Sequence, residues 1–424
     1  MLKKYITVIL IAMLIITSSS CKNEEVDLSG KLTIYGLEPD HKILTFIYDY
    51  KEYNPGANII IKSGINDTNY KVNEAIKKLN TELLAGGGPD VIIMDDINVE
   101  KYSELGLLED ISDIVKESEG IPETLIDSNS KQGKIFSMPA SIALLVTSER
   151  KGTDADFSSL EKYIESVKKN NLTTSFSYEN LISLFYRTEI APVFNEGRNI
   201  EYEELKQFYV SLKELKSITI GGFDRASLFY VNTFINPLNN YEGIALGRKN
   251  ITDNETMYFD AAFDYITNIS YLQDLYFYKN QDILNFEYCK KDDGYIYLPM
   301  LQLAVNANSK NKELAKDFIK YAFSEEGQQN VRYCPLIPVN MDLISTELEL
   351  NEENMVNDRV IDPMESGNIS EIGAVFSAFG KPLVADGNIM EIIMDGAMSY
   401  LNGENDLDTV MNNTMNRLNI YLTE

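Results

Sequence analysis

The chain has 424 residues, 44% of them hydrophobic and 24% charged, and its 65 Asp and Glu against 38 Lys and Arg give a formal net charge of −27. This composition excludes disordered, collagen-like and disulfide-scaffold proteins, because the apolar content is sufficient to bury a large core. The acidic excess argues against nucleic acids and anionic lipid surfaces as partners, because the long-range field repels them. The length suits two lobes or domains.

The first twenty residues have the pattern of a secretory signal peptide. Lys3 and Lys4 precede a nearly unbroken apolar run over residues 5–17, and three serines lead to Cys21. About 13 apolar residues span only ~20 Å as a helix, which is too short for a bilayer core of ~30 Å. We therefore predict a signal peptide over residues 1–20, which is removed by processing.

Cys21, directly after small residues, resembles the lipobox cysteine of bacterial lipoproteins, although Ser18 stands where the lipobox usually has Leu. The resemblance implies that the thiol receives diacylglycerol and that an acylated, palmitate-type N-terminus anchors the chain in a membrane. Residues 21–30 would then be a lipidated polar tether. Plain secretion is the alternative.

Next come two strands and two helices in alternation and then a third strand. The strands are predicted over residues 31–35, 57–62 and 91–94, and the second helix carries an apolar stripe on Val72, Ile76, Leu79 and Leu83. This order begins an open, doubly wound parallel sheet, in which ligands bind at the carboxyl ends of the strands. Glu38 and Asp95 follow two of those strand ends and are candidate ligand-binding residues, with helix capping as the alternative role.

The three glycines at residues 86–88 are predicted to end a helix. A phosphate-binding loop follows a strand and opens a helix, whereas these glycines follow a helix and open a strand. They therefore do not indicate a nucleotide site.

Neither a metal site nor a cofactor is predicted. The chain has one His and no zinc-binding spacing of Cys and His. Asp386-Gly387-Asn388 and Asp292-Asp293-Gly294 lack the alternation of an EF-hand loop and are interpreted as turns. Whether Cys289 and Cys334 form a disulfide is left open.

The rest of the chain is predicted to be mainly helical. Residues 155–300 are interpreted as mostly helix, residues 302–306 as a strand, and the following apolar set from Leu314 to Phe323 as an amphipathic helix. A last helix is predicted over residues 406–422.

Three stretches in the same order resemble the extracellular solute-binding proteins of family 1, which serve ABC importers of carbohydrates. They are residues 79–111, which contain the Gly-rich turn, "PD" and "GLLEDI", residues 133–139 (GKIFSMP), and residues 303–328 with "SKNKELAKDFIKYAFSEEGQ". Two features depart from that family, because the chain has no Trp and no "GKAAM" stretch before the third match.

The resemblance implies an α/β, periplasmic-binding-protein-like fold of type II, with two doubly wound lobes joined by a hinge. Lobe one would comprise residues 31–138 and 300–332, and lobe two residues 139–299 and 333–424. It also implies a non-enzymatic, monomeric binding protein on the outer face of the cytoplasmic membrane, as in Gram-positive bacteria. Hinge closure would capture a small solute, most simply an oligosaccharide or sugar derivative, for delivery to ABC permease subunits.

Tyr and Phe would replace Trp in stacking against a sugar, and amides and carboxylates would bind its hydroxyls. The candidate ligand-binding residues are Glu38, Asp95, Phe229, Tyr230, Asn232, Asn240, Tyr241 and Phe376. One alternative is a surface lipoprotein of the same fold that binds a non-sugar ligand such as a peptide. A secreted glycosidase using two carboxylates is another, weaker alternative, because no nucleophile motif is present.

Overall fold

The computed structural model describes residues 28–38, 41–65, 71–172, 178–218, 261–266, 268–282, 284–291, 294–334, 336–349, 355–356, 359–360 and 364–423. Its strands are β1 (Gly30–Gly36), β2 (Ala57–Ser63), β3 (Val91–Ile93), β4 (Met138–Arg150), β5 (Ala261–Ile266), β6 (Leu284–Tyr288), β7 (Lys290–Lys291), β8 (Gly294–Val305), β9 (Ile337–Pro338), β10 (Met355–Val356), β11 (Arg359–Val360) and β12 (Phe379–Pro382).

The α-helices are α1 (His41–Tyr53), α2 (Val72–Leu84), α3 (Val99–Glu104), α4 (Ser112–Glu117), α5 (Glu123–Ser128), α6 (Leu160–Asn170), α7 (Tyr178–Phe185), α8 (Ala191–Asn195), α9 (Tyr202–Ile218), α10 (Ile269–Asn280), α11 (Lys312–Phe323), α12 (Glu325–Tyr333), α13 (Met341–Glu349), α14 (Ser366–Phe376), α15 (Gly387–Leu401) and α16 (Leu407–Thr423). A π-helical turn, Tyr186–Ile190, joins α7 to α8. Among the helices of these described ranges, none is both long and apolar enough to span a bilayer.

The N-terminal strands form the parallel sheet that the sequence predicts. β1 lies between β2 and β3 and is parallel to both. β3 reads as an unbroken apolar run because both of its faces are covered, and all three of its residues are buried. The carboxyl ends of β1 and β3 therefore lie at the same edge of the sheet.

Two long antiparallel strands continue this sheet. β8 pairs with β3 on one side and with β4 on the other, and the sheet order is β2-β1-β3-β8-β4-β5. The second half of β4, from Val146 onward, pairs with β6 as well as with β5. β4 and β8 thus connect the N-terminal parallel strands to β5 and β6 within one sheet.

The described residues of the range 155–300 are mostly helical, as the sequence predicts, but several strands interrupt the helices. Helices α6 to α10 agree with the prediction, but β5, β6, β7 and most of β8 are strands. β6 shows the alternation of buried and exposed residues that a half-buried strand requires. Tertiary pairing with β4 therefore outweighs helix propensity in this region.

Three apolar clusters form the interior. The first covers one face of the sheet with α1, α4, α5 and α10 to α14, and the second packs α6 to α9 with α15 and α16. The third packs α2 and α3 on the other face of β1 and β3.

The glycine-rich turn ends α2, as predicted. The Gly86 and Gly87 N–H groups donate to the carbonyls of Leu83 and Glu82. Gly86 and Gly88 have φ angles of 75° and 98°, which residues with a side chain rarely adopt. The turn therefore leads directly into Asp90 and β3.

Cys289 and Cys334 are free thiols, so the pairing that the sequence left open does not occur. Burial raises the pKa of Cys289 to about 12, and the nearby Glu287 carboxylate adds to this effect.

Candidate binding cleft

The loop after β3 begins with a carboxylate that is bound by backbone groups. Asp95 accepts hydrogen bonds from the backbone N–H groups of Leu301 (3.0 Å) and Gln302 (2.8 Å), which join the end of β3 to β8. Burial raises the pKa of Asp95 to about 7, although these hydrogen bonds oppose the shift and Asp96 adds to it. Asp95 therefore holds the loop in position.

Asp96 connects this loop to the helical part of the molecule. Its Oδ1 atom lies 2.6 Å from Nη2 of Arg187, and the side chains are only 10% and 3% exposed. Its backbone carbonyl accepts a hydrogen bond of 2.9 Å from the N–H of Gly387. Burial raises the pKa of Asp96, and the guanidinium of Arg187 opposes that shift. Asp96 has a φ of 58°, a left-handed conformation that Asp tolerates better than most residues.

Arg187 lies in the π-helical turn before α8. Pro192 occupies the first turn of α8. Because proline has no N–H to donate to the carbonyl of Thr188 and its ring crowds that carbonyl, the preceding turn widens. Such wide turns frequently occur at functional sites, and this one carries the buried guanidinium.

The N-terminus of α15 faces the loop after β3. One carboxylate oxygen of Asp386 caps the helix by accepting from the N–H groups of Asn388 (2.9 Å) and Ile389 (3.3 Å). The other oxygen accepts from the Tyr421 hydroxyl (2.9 Å) and from Nδ2 of Asn98 (3.3 Å). The predicted turn at Asp386 is thus a helix cap.

A cavity of about 910 Å³ opens between these elements. On one side it is lined by α3 and the segments around residues 128–131 and 136–137, and on the other by α8, β12, α15 and the end of α16. Its amide side chains and rings are Asn98, Asn129, Asn195, Asn199, Gln302, Phe136, Phe194 and Tyr421.

Charges of both signs surround this cavity. Lys101, Lys131, Arg198 and Lys381 line it together with the carboxylates of Glu100 and Asp386. The Lys101 ammonium lies 5.2 Å from the centroid of the Tyr421 ring. Amides and charges can bind hydroxyl groups, and exposed ring faces can contact apolar C–H patches, so the cavity suits a polar solute.

The predicted ligand-binding residues lie in several different places. Glu38 is half-buried at the carboxyl end of β1, and Asp95 is at the end of β3, but neither lines the cavity. Phe376 is 1% exposed and its ring packs 5.1 Å from that of Phe379 between centroids. The predicted candidates Phe229, Tyr230, Asn232, Asn240 and Tyr241, and the predicted lipidation site Cys21, lie outside the described residues.

Sequence reasoning identified the loop after β3 but not the residues that join it to α15. In the sequence, Arg187 differs from its surroundings only as a cation in an apolar helix, which did not indicate a functional role. Gly387 was interpreted only as part of a turn. Among the residues that the structure describes, no group of three or more His, Cys, Asp or Glu side chains is arranged to hold a metal ion.

Comparison with known proteins identifies the family to which this chain belongs. The family model of the bacterial extracellular solute-binding proteins matches residues 50–348, which is more than two thirds of the chain. No curated protein matches the sequence.

Three solved structures illustrate the similarity of fold. The GacH receptor of Streptomyces glaucescens, studied unliganded and with acarbose, is 16% identical, with a TM-score of 0.53 over 93% of this chain and 99% of that one. A solute-binding protein from Thermotoga lettingae bound with α-D-tagatose is 16% identical, with a TM-score of 0.52 over 93% and 100%. A Streptococcus pneumoniae solute-binding protein in complex with the blood group A-trisaccharide is 13% identical, with a TM-score of 0.51 over 92% and 99%. These similarities confirm the predicted two-lobed α/β fold.

Proposed function

Because this chain belongs to the bacterial extracellular solute-binding proteins, we propose that it captures an oligosaccharide or sugar derivative in the cavity beside α3, α8 and α15. The family membership makes it a solute-binding protein of ABC importers, and it confirms the prediction that the protein is not an enzyme. The observation that carries the sugar proposal is the lining of the cavity, which combines three aromatic rings with five amide side chains. The sugar ligands named for the similar structures support the same ligand class.

A thermal-shift screen against oligosaccharides tests this proposal. A specific ligand at 100 times its dissociation constant should stabilise the folded protein by ~2.7 kcal/mol. Phe194→Ala should weaken binding about tenfold or more, because it removes a half-buried ring from the cavity wall. Phe277→Ala is the matched control, because that ring is also half-buried but packs on the first cluster. Equal effects of the two variants would contradict the assignment of the cavity.

A peptide is the second candidate ligand, and the charged lining supports it. Lys101 and Lys381 could face a carboxylate group and Glu100 an ammonium group. Short peptides therefore belong in the same screen. Binding of peptides without binding of any sugar would replace the first proposal by this one.

We also propose that the solute reaches ABC permease subunits from a lipid-anchored, monomeric protein on the outer face of a Gram-positive membrane. The signal-like residues 1–20 and the cysteine after them support the anchor. Cys21→Ser should release the protein into the medium and abolish labelling by a palmitate analogue. Continued membrane association of that variant would disprove lipidation.

We propose that the lobes divide as the sequence predicts, at residues 31–138 with 300–332 and 139–299 with 333–424. The shared strands β4 and β8 support a connection between the two parts, and the first apolar cluster also joins them, because it packs α10, α13 and α14 with α1 and α4. Small-angle scattering should show a smaller radius of gyration when a ligand from the screen saturates the protein. An unchanged scattering curve at saturation would contradict hinge closure.

We propose that predicted rings and amides outside the described residues also contact the sugar. Phe229, Tyr230 and Tyr241 are candidates for stacking, and Asn232 and Asn240 for binding hydroxyls. Glu38, Asp95 and Phe376 are weaker candidates, because none of them lines the described cavity.

A further inference from the structure

A polar seam separates the second apolar cluster from the third. We use "the seam" for the contacts of Asp96 with Arg187 and Gly387, of Asn98 with Asp386, and of Asn73 with Glu391. The Asn73 N–H donates to the Glu391 carboxylate at 2.7 Å, so the seam extends along α15 to the start of α2. The two sides thus meet through these hydrogen bonds and charges, and also through the approach of Gly387 to the apolar side chains of Val72 and Ile76.

The walls of the seam approach each other closely at one glycine. A Cβ atom on Gly387 would lie 2.8 Å from the Asp96 carbonyl oxygen and 3.0 Å from Cγ1 of Val72. Real Cβ atoms essentially never come within 2.8 Å of a backbone oxygen, so a side chain at this position would force the walls to shift. Only glycine therefore allows the N-terminus of α15 to rest against α2 and the loop after β3.

The ion pair in the seam is satisfied by protein groups. The Arg187 guanidinium and the Asp96 carboxylate are almost fully removed from water and face each other at 2.6 Å. Separating such a pair leaves two charges without their partners until water reaches them. The contact therefore favours the joined arrangement of the two walls.

We propose that Asp96, Arg187 and Gly387 form a latch that holds the two cleft walls together through protein–protein contacts alone. Asn98 and Asp386, which line the cavity and bond to each other, are positioned by this latch. The latch favours the closed arrangement of the walls and a guest shifts the equilibrium further toward it, so Arg187 increases affinity without touching the guest. The effect on affinity rests on the proposed function, whereas the latch itself is measurable without any guest.

Hydrogen–deuterium exchange of the full-length chain without a ligand tests the latch. Two amides report on the seam, because the Gly387 N–H is bonded to Asp96 and the Asn73 N–H to Glu391. The Asp90 N–H, which is bonded to the Thr33 carbonyl within the sheet, is the reference. In the unaltered protein we expect both seam amides to be protected.

Two variants should open the seam by different routes. Asp96→Asn removes the charge but keeps the shape and the tolerance of positive φ, and Gly387→Ala inserts a methyl group between the walls. Each should accelerate exchange of the Asn73 amide tenfold or more and leave the Asp90 amide within twofold. Gly373→Ala in α14 is the matched control, because its nearest atom is Cε of Met341 at 4.0 Å, and it should change neither amide.

Arg187 can be tested for its specific geometry as well as for its charge. Arg187→Met should accelerate the Asn73 amide at least as much as Asp96→Asn, and Arg187→Lys should recover part of the protection. A structural packing role alone would make the two replacements equivalent, and that result would overturn the proposal.

Other results would also overturn the latch. Seam amides that already exchange as fast as exposed amides would show that the walls are not held together. Equal acceleration of the seam and reference amides would show that the seam opens only on global unfolding. Failure of every sugar in the screen would leave these exchange results unchanged, so the two proposals fail separately.

Discussion

The apolar clusters and the polar seam hold adjacent parts of the molecule together in different ways. In the third cluster, α2 buries Val72, Ile76, Leu79 and Leu83 against the sheet. In the seam a few angstroms away, the contacts are an ion pair and hydrogen bonds. Apolar surface has no substitute partner in water, whereas a polar group can exchange a protein partner for a water molecule.

This difference indicates which contacts persist for as long as the protein is folded. Opening an apolar cluster costs about 25 cal/mol for each Å² of apolar surface exposed, so the clusters persist as long as the fold does. Polar contacts between parts of one chain resemble transient interfaces and permit relative motion. The seam is therefore where we expect the molecule to move.

The largest expected effect is in the first cluster. Phe46 is fully buried, with the rings of Phe318 and Tyr321 at 6.1 and 5.6 Å between centroids. Phe46→Ala should lower the free energy of unfolding by ~3–5 kcal/mol in a urea titration, through lost burial and a cavity. Tyr48→Ala in the same helix is the control, because Tyr48 is 55% exposed. A loss below about 1 kcal/mol for Phe46→Ala would show that this region is not close-packed.

A smaller effect is expected from pH at the edge of the seam. Folding raises the pKa of Asp95 from about 3.9 to about 7, so between these values the folded protein holds a proton that the unfolded chain has lost. Stability from this group is therefore greatest below about pH 4, declines as the pH rises, and levels off above about pH 7. Between pH 5 and 8 the decline should reach about 2.5 kcal/mol.

Asp95→Asn isolates this contribution. Burial also raises the pKa values of Asp96 and of Glu189, the latter to about 7. In the unaltered protein these groups, like Asp95, contribute stability that declines as the pH rises. The variant should show a flatter dependence of the unfolding free energy on pH, and the difference between the two curves belongs to Asp95. Parallel curves would refute the raised pKa.

Loss of a polar contact inside the N-terminal sheet should lower stability less, and we expect this contact to stay closed in the folded protein. The Asp90 carboxylate accepts from the N–H of Thr33 (2.8 Å), the Ser309 hydroxyl (2.6 Å) and Nδ2 of Asn311 (3.2 Å). Asp90→Asn replaces one acceptor oxygen by a donor, which should lower stability by about 1.5 kcal/mol in thermal unfolding. The exposed Asp113→Asn is the control. A neutral outcome for Asp90→Asn would remove its role in joining β1 to the start of α11.

The smallest effect belongs to a surface ion pair. Nζ of Lys62 lies 3.4 Å from the Glu82 carboxylate, and the side chains are 46% and 35% exposed. Lys62→Met should change the unfolding free energy by less than about 0.5 kcal/mol, because water screens the pair. A change above about 1 kcal/mol would mean that exposed pairs of this kind contribute as much as the buried contacts.

Local sequence patterns predicted the N-terminal sheet well. The stripe on α2 and the glycines after it fix a helix and its end by short-range geometry, and the structure confirms both. β8 was predicted only from residue 302, because the residues before it were interpreted as part of a mostly helical region. In the structure Pro299 lies opposite Ile142 within the pairing with β4. A long strand can accommodate a proline that a local rule treats as its end.

The cleft was predictable only in part. The rule that ligand sites lie at the carboxyl ends of strands pointed to the loop of Asp95, and Asn98 of that loop lines the cavity. Arg187 and Asp96 are 91 positions apart, and no local pattern couples them. The requirement for glycine at 387 arises from the approach of α15 to the loop after β3, which exists only in the folded chain.

The placement of β8 has a consequence for how the chain assembles. This strand, at Gly294–Val305, is inserted between β3 and β4, which come long before it along the chain. A growing polypeptide can therefore not finish the centre of its sheet until about three quarters of it has emerged from the ribosome. Until then β3 and β4 present unpaired edges, which are sites for aggregation. Such distant pairing also slows folding, so we expect holding chaperones to protect the nascent chain during that interval.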